Sequence, residues 1–337
     1  MKPRIAITMG DPAGIGPEII VGAWNETVVH DWCRPLVVGN PKILRRAVSL
    51  WQMNLEVIEI DDPKQAKPRP DVIPCIPCGS DNVLDVKPGT IDARTGLAAY
   101  QYAARAIELA IDGSVDAITT APISKKAWAL ADIDLPGHTE LLARMCDVDD
   151  FAMMLYLGPD DGMCGEAGLA VVHVTLHTAL RNVFDMLTQE AILAKIRSAD
   201  HFMRRLKGDR PRIGICSLNP HRGESGMFGT EEQMIIEPAV KQAIAEGLDV
   251  TGPMPTDTLM VHARDGEFDA VVAMFHDQGH IALKLLGMHR AVNITLGLPI
   301  VRTSVAHGTA FDIAWKRQAE TGSLLEAIRV AAQLASA

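Results

Sequence analysis

Side chains able to bind metal, carry protons or donate hydrogen bonds stand almost side by side in Phe275-His276-Asp277-Gln278-Gly279-His280. The apolar run 268–274 leads into them and reads as a buried strand. Open α/β sheets keep their ligands just beyond such strand ends. Two further histidines share the context: His177 follows the strand-like run 169–175, and His221 follows 212–218. In a parallel sheet these ends fall on one edge. His177, His221 and His276 could therefore converge on one divalent metal and leave positions open for substrate. Each of them alone reads as a hydrogen-bonded imidazole of the fold, and no His-x-x-x-His spacing reinforces the set; His173 and His280 are reserve ligands.

Cations are expected near the same edge. Lys284, Arg302 and Arg222, with Asn293 as a neutral donor, would suit a carboxylate or phosphate. Arg222 reads more as a solvated charge than Arg302, which is flanked by Ile300-Val301 and Thr303-Ser304. At Pro136-Gly137-His138-Thr139-Glu140 a loop enters a helix. The N–H groups of its first turn, with His138 and Thr139 beside them, could hold an anion, but a plain N-cap by Thr139 explains the same residues. Residues 10–18, Gly-Asp-Pro-Ala-Gly-Ile-Gly-Pro-Glu, form a glycine-rich turn with Pro17 suited to the first helical position. The spacing is not G-x-G-x-x-G, so the segment reads as a structural tight turn. Cys75-Ile76-Pro77-Cys78 lies in a strand-like run with no second such pair, which argues against zinc or redox chemistry.

A scaffold of alternating strands and helices has to position these groups. Strands are expected at 4–9, 35–39, 55–60, 72–76, 115–120 and 151–157, and again at 169–175, 212–218, 268–274, 292–295 and 299–303. The clearest helix is 92–111, where Leu97, Tyr100, Ala104, Ile107 and Ile111 step by three and four. Others are expected from about Pro41, over 192–206, after Thr230, where Gln233 would complete a capping box, and from about Ser323. Such alternation is the mark of βαβ units and a mostly parallel sheet.

A chain of 337 residues, 48% of them hydrophobic, can bury a large core as two domains or one large α/β unit. Its 32 basic and 42 acidic side chains give a net charge of −10 with no basic block, which argues against nucleic acid as a partner. No apolar run approaches the roughly 20 residues of a membrane span. No secretory leader is legible, so a cytoplasmic protein is expected. Six scattered cysteines suit reduced thiols.

Taken together, GDPAGIGPEI (10–19), PGHTELL (136–142), NPHRGE (219–224), FHDQGH (275–280), VNITLGLPIVRTS (292–304) and HGTAFDIA (307–314) resemble the 4-hydroxythreonine-4-phosphate dehydrogenase family. The resemblance runs from the first strand to near the C-terminus, and the wider relatives are the isocitrate and isopropylmalate dehydrogenases. It implies a two-domain α/β fold, isocitrate/isopropylmalate dehydrogenase-like, with mostly parallel sheets, helices on both faces and a cleft between the domains. Residues 1–135 and 300–337 would form the first domain. Residues 136–299 would form the second, carrying most metal and substrate residues and the interface of a homodimer.

By motif, the resemblance implies that His177, His221 and His276 bind the divalent metal across two subunits. It implies substrate contacts from His138, Thr139, Lys284, Asn293 and Arg302. His307, Gly308, Thr309 and Ala310 resemble an adenosine-binding loop. Asp312 stands where NAD-using relatives place a carboxylate, which would accept from both ribose hydroxyls and repel a 2′-phosphate, so NAD is expected over NADP. The implied reaction oxidises a secondary alcohol β to a carboxylate in a phosphorylated substrate and then releases carbon dioxide. Asp277, Lys284 and Asp257 are the candidate bases. Zinc, magnesium, manganese and cobalt all suit the implied ligands.

One departure is Ala306, where the family often has Asp. His280 and residues 311–315 resemble the branch that acts on the 4-phosphates of threonate or erythronate. A third branch oxidises aromatic cis-dihydrodiols, but Pro136 to Thr139, Asn293 and Arg302 argue for a phosphorylated substrate. Outside the dehydrogenases, a metal phosphohydrolase or a non-catalytic binding protein would use the same residues.

Overall fold

The computed structural model describes every residue except 68, 150, 160, 161 and 164. It divides into two compact units, residues 1–151 with 298–337 and residues 152–297. The first opens with β1 (Arg4–Thr8), α1 (Gly16–Trp24), α2 (Val28–Trp32), β2 (Arg34–Gly39), α3 (Pro41–Trp51), β3 (Glu56–Glu59) and β4 (Val72–Pro77). It continues with α4 (Ala93–Ile111), β5 (Ala117–Thr120), α5 (Lys125–Leu130) and α6 (His138–Cys146). The second unit contains β6 (Ala152–Leu157), β7 (Leu169–His173), α7 (Val183–Met186), α8 (Gln189–Lys207), β8 (Ile213–Cys216) and α9 (Glu237–Ala245). It closes with β9 (Val250–Met254), α10 (Thr256–Arg264), β10 (Ala270–Ala273), α11 (His276–Gly287) and β11 (Val292–Leu296). The chain then returns to the first unit as β12 (Arg302–Val305) and α12 (Gly322–Ser336).

In the first unit the strands run β3-β4-β2-β1-β5-β12, each paired in parallel with its neighbours among the described residues. Helices cover them, so strands such as β1 and β5 are buried along almost their whole length, as strands of a parallel sheet covered on both faces are. Local chemistry sets the helix starts. Asn40 Oδ1 accepts the N–H groups of Lys42 and Ile43 with Pro41 in the first turn, and Asp92 caps α4.

The second unit orders its strands β11-β6-β7-β10-β8-β9. β7, β10, β8 and β9 are parallel, while β6 is antiparallel to both neighbours. The mixed α/β, mostly parallel architecture is the expected one. The boundary is not at residue 135: residues 136–151 belong to the first unit, because Leu141 and Leu142 of α6 are buried in its core. β12 also begins three residues later than the apolar run suggested, at Arg302.

The capping box at Thr230 and Gln233 does not form. The helix starts as a wide π-turn, Glu232–Ile236, with Glu231 at its N-cap and no side-chain cap, because the Glu231 and Glu232 carboxylates both turn to Asn219. Cys33, Cys75, Cys78, Cys146 and Cys216 are free thiols, and Cys164 lies outside the described residues. Burial pushes the Cys75 thiol up to about 12, which removes it from thiolate chemistry. Among the described residues no helix is long and apolar enough to cross a membrane.

Candidate active site

β7, β10 and β8 are adjacent and parallel, so their C-terminal ends share one edge of the second unit. His276 is the first residue of α11, directly beyond β10. The turn that delivers it is fixed by Gln278, whose Oε1 accepts from Met274 N at 2.7 Å while its Nε2 donates to Ser217 O at 2.7 Å and Thr256 Oγ1 at 2.9 Å. One amide thus joins the ends of β10 and β8 to the start of α10. Sequence reading named Gln278 only as a donor and missed this bridge.

His276 Nδ1 lies 2.6 Å from Asp277 Oδ1. A carboxylate can only accept, so Nδ1 carries a proton, and in the neutral ring Nε2 then keeps its lone pair, the tautomer a metal ligand needs. The His177 ring centroid is 5.8 Å from that of His276. His221 stands instead in a left-handed turn: His221, Arg222, Gly223, Glu224 and Ser225 have φ between 43° and 73°. Among the described residues of one chain, no three His, Cys, Asp or Glu side chains form a metal-holding group. The structure therefore brings His177 and His276 together but does not complete the trio within a single chain.

His280, one turn along α11, stacks on His276 with centroids 3.8 Å apart, and its Nδ1 is 3.0 Å from His173 Nε2. Burial, then the neighbouring imidazoles, holds His173 down to about 3; burial, then His276, holds His280 down to about 4. Both are neutral, and one ring donates to the other. Lys284 follows His280 by four residues, so His276, His280 and Lys284 form one stripe of α11. Asp257 lies in the first turn of α10, its exposed carboxylate accepting from Thr258 N at 2.9 Å. Asn293 of β11 has a buried Oδ1 with no hydrogen-bond partner. Arg222 pairs with Glu237 at 2.6 Å.

In the first unit, Gly137 and not Thr139 occupies the N-cap of α6, and no side chain caps it, which sets the plain N-cap reading aside. His138 Nε2 is buried without a partner. Burial, then the charges of Arg302 and Lys125, hold its pKa well below the ordinary imidazole value. Arg302 is 3% exposed and donates through Nη2 to Thr120 Oγ1 at 2.7 Å. Burial lowers its pKa to about 10, so it stays charged at neutral pH. Lys125, which sequence reading did not single out, arches over the start of α6: a Cβ on Gly137 would lie 3.4 Å from its Cε. The chemistry of this corner suits an anion.

The loop 307–317 lies against the glycine-rich turn of residues 10–16. Ile15 N donates to Thr309 O at 3.0 Å, and a Cβ on Gly14 would meet Thr309 at 3.0 Å, so that glycine gives the loop its close approach. His307 Nδ1 is 3.1 Å from Gly308 O, Ala310 is left-handed at φ 44°, and the Asp312 side chain is exposed.

Comparison with known proteins places the chain in a family. The family described as pyridoxal phosphate biosynthetic protein PdxA matches residues 31–331. The chain belongs to this family. It is 45% identical to a 4-hydroxythreonine-4-phosphate dehydrogenase of Trichlorobacter lovleyi, over 99% of this chain and 98% of the relative. It is 46% identical to a D-threonate 4-phosphate dehydrogenase of Salmonella typhimurium, over 98% of each. A crystal structure of 4-hydroxythreonine-4-phosphate dehydrogenase from Klebsiella pneumoniae superposes with a TM-score of 0.86 at 44% identity, covering 99% of both chains.

Proposed function

We propose that the protein is a dehydrogenase that oxidises the secondary alcohol of a 4-phosphorylated 3-hydroxy acid, using NAD and a histidine-bound divalent metal, with loss of carbon dioxide from the β-keto acid. The first candidate substrate is 4-hydroxythreonine 4-phosphate. The observation that carries this reading is the cationic corner of the first unit, where buried Arg302 and the exposed Lys125 act on a neutral His138 at the start of α6. In a chain of net charge −10, such local cations are what an anionic substrate requires.

His138, Thr139 and Arg302, with Lys284 and Asn293, would bind the substrate, and a neutral His138 offers either a donor or an acceptor. His177, His221 and His276 would hold the metal, which when bound supplies a lowered hydroxyl pKa and a polarised carbonyl. Asp277 keeps His276 in the coordinating tautomer, so it serves better as a positioning group than as a base. Asp257 is engaged locally, which leaves the Lys284 amine to take the hydroxyl proton. His307, Gly308, Thr309 and Ala310 would bind the adenosine half of NAD, and Asp312 its ribose hydroxyls.

A homodimer is part of the proposal. Large apolar side chains are exposed after each metal histidine in the chain: Ile281 (58%) and Leu285 (83%) on α11 and Met288 (52%) at its C-cap after His276, Leu180 and Phe184 after His177, and Met227, Phe228 and Met234 after His221. Apolar surface of this kind favours a partner, and a second copy would supply the third ligand that one chain does not bring to His177 and His276.

A second reading, oxidation of D-threonate or D-erythronate 4-phosphate, is favoured by His280, which is built into the histidine cluster through His173. The deciding experiment mixes the protein with NAD, each metal in turn, and the three 4-phosphorylated acids. NADH formation with one acid alone identifies the substrate. Phosphate release without NADH would point to a phosphohydrolase, and metal uptake without turnover to a binding protein; either result sinks the proposal.

A further inference from the structure

Glu18 is 0% exposed, and every residue of α1 around it is buried. A carboxylate survives there only if its oxygens are hydrogen-bonded. Both oxygens are taken by one distant loop: Oε2 accepts from Trp315 N, and Oε1 accepts from Arg317 N at 2.8 Å. Trp315 and Arg317 are left-handed, at φ 62° and 56°, a conformation that residues bearing a Cβ hold only when their surroundings enforce it. Other contacts fasten the same loop. Trp315 Nε1 donates to Pro12 O at 3.1 Å, and the Arg46 guanidinium lies 4.7 Å over the Trp315 ring. A Cβ on Gly89 would sit 2.6 Å from Phe311 O, so Gly89 too is shaped around the loop.

We infer that Glu18 is a positioning residue for the cofactor: by clamping the turn 315–317 it fixes the preceding residues 307–312 in the placement that NAD requires. The inference rests on the proposed assignment of residues 307–312 to the cofactor. The glycine-rich turn and α1 then serve the dinucleotide without a phosphate fingerprint of their own. They hold the loop that binds it.

The test uses Glu18→Gln, which keeps the shape but replaces one accepting oxygen with an NH2 that faces an N–H. The KM for NAD and the Kd for NADH, followed by nicotinamide fluorescence, are expected to rise about tenfold, while kcat at saturating NAD and the KM for the acid stay within about twofold. A folded variant with wild-type NADH affinity overturns the inference, and so does a fall in kcat with an unchanged KM for NAD. If the variant does not fold, hydrogen exchange of the wild-type protein decides. NADH must slow exchange at the Trp315 and Arg317 amides, and unchanged rates there overturn the clamp. A wild-type protein that binds no NADH overturns the cofactor assignment and the inference with it, an outcome distinct from failure of Glu18 alone.

Discussion

The Glu232 carboxylate accepts the backbone N–H groups of Leu218 and Asn219 at 2.9 and 2.7 Å, anchoring the left-handed turn that carries His221. A Cβ on Gly223 would lie 2.8 Å from Glu232 Oε2, so the glycine and the buried glutamate fit only each other. Left-handed geometry costs each non-glycine residue about 1–2 kcal/mol, and His221, Arg222, Glu224 and Ser225 all adopt it. Removing the anchor by Glu232→Ala leaves two N–H groups without an acceptor, a loss of about 3 kcal/mol in denaturant unfolding. Metal uptake should fall as it does in His221→Ala. Wild-type metal affinity in Glu232→Ala would show that the turn stands without this residue.

The strand ends were legible because buried parallel strands are apolar runs that stop abruptly, and His177, His221 and His276 each follow one. The direction of β6 was not, since its run 152–157 reads the same either way and only pairing with β7 and β11 makes it antiparallel. Nor was the start of α11: the sequence shows a strand ending in polar residues, and the Gln278 side chain, by satisfying Met274 N, turns that ending into a helix start. The left-handed turn at His221 hides behind ordinary residues whose local preference lies elsewhere. Glu18 did leave a signal, as one charge in an otherwise apolar helix, but its partners lie almost 300 residues away along the chain.

If His221 and His276 of each metal site come from different subunits, two inactive variants can repair each other. His221→Ala and His276→Ala homodimers should each lack metal-dependent turnover while remaining folded. In mixed dimers one of the two sites regains a full ligand set. Equal mixing and exchange should therefore restore about a quarter of wild-type activity, since half of the dimers are mixed and half of their sites are intact. No recovery after exchange, verified by tagged subunits, would place both histidines in one chain.

Asp11 gives the fold a pH dependence of known sign. Burial is the main cause that raises its pKa from 3.8 to about 6, and Oδ2 has no hydrogen-bond partner, although Oδ1 accepts from Ala13 N at 2.9 Å. The folded state binds this proton more tightly than the unfolded chain. The contribution is fully present below the unfolded value and is lost as pH rises through about 6. Asp11→Asn keeps an acceptor for Ala13 and removes the charge. It should stabilise the protein at pH 7.5 by up to about 3 kcal/mol, while differing little from wild type near pH 4. Parallel unfolding curves at the two pH values check this, and equal stability at pH 7.5 would show that the carboxylate is accommodated at no cost.

Asp312 should decide which dinucleotide is used. Its carboxylate is exposed, and its own carbonyl is held by Lys316 Nζ at 2.5 Å, which keeps that cation on the backbone. A carboxylate beside the ribose favours two free hydroxyls and repels a 2′-phosphate. The wild-type protein should therefore prefer NAD over NADP in kcat/KM. Asp312→Ser removes the repulsion and one set of acceptors together, so the NAD to NADP ratio should fall by about ten- to a hundredfold, or roughly 1.4–2.7 kcal/mol. The loss should come from a higher KM for NAD combined with a lower one for NADP. A wild-type preference for NADP, or a ratio unmoved by the substitution, would remove Asp312 from cofactor recognition and leave residues 307–310 alone in that role.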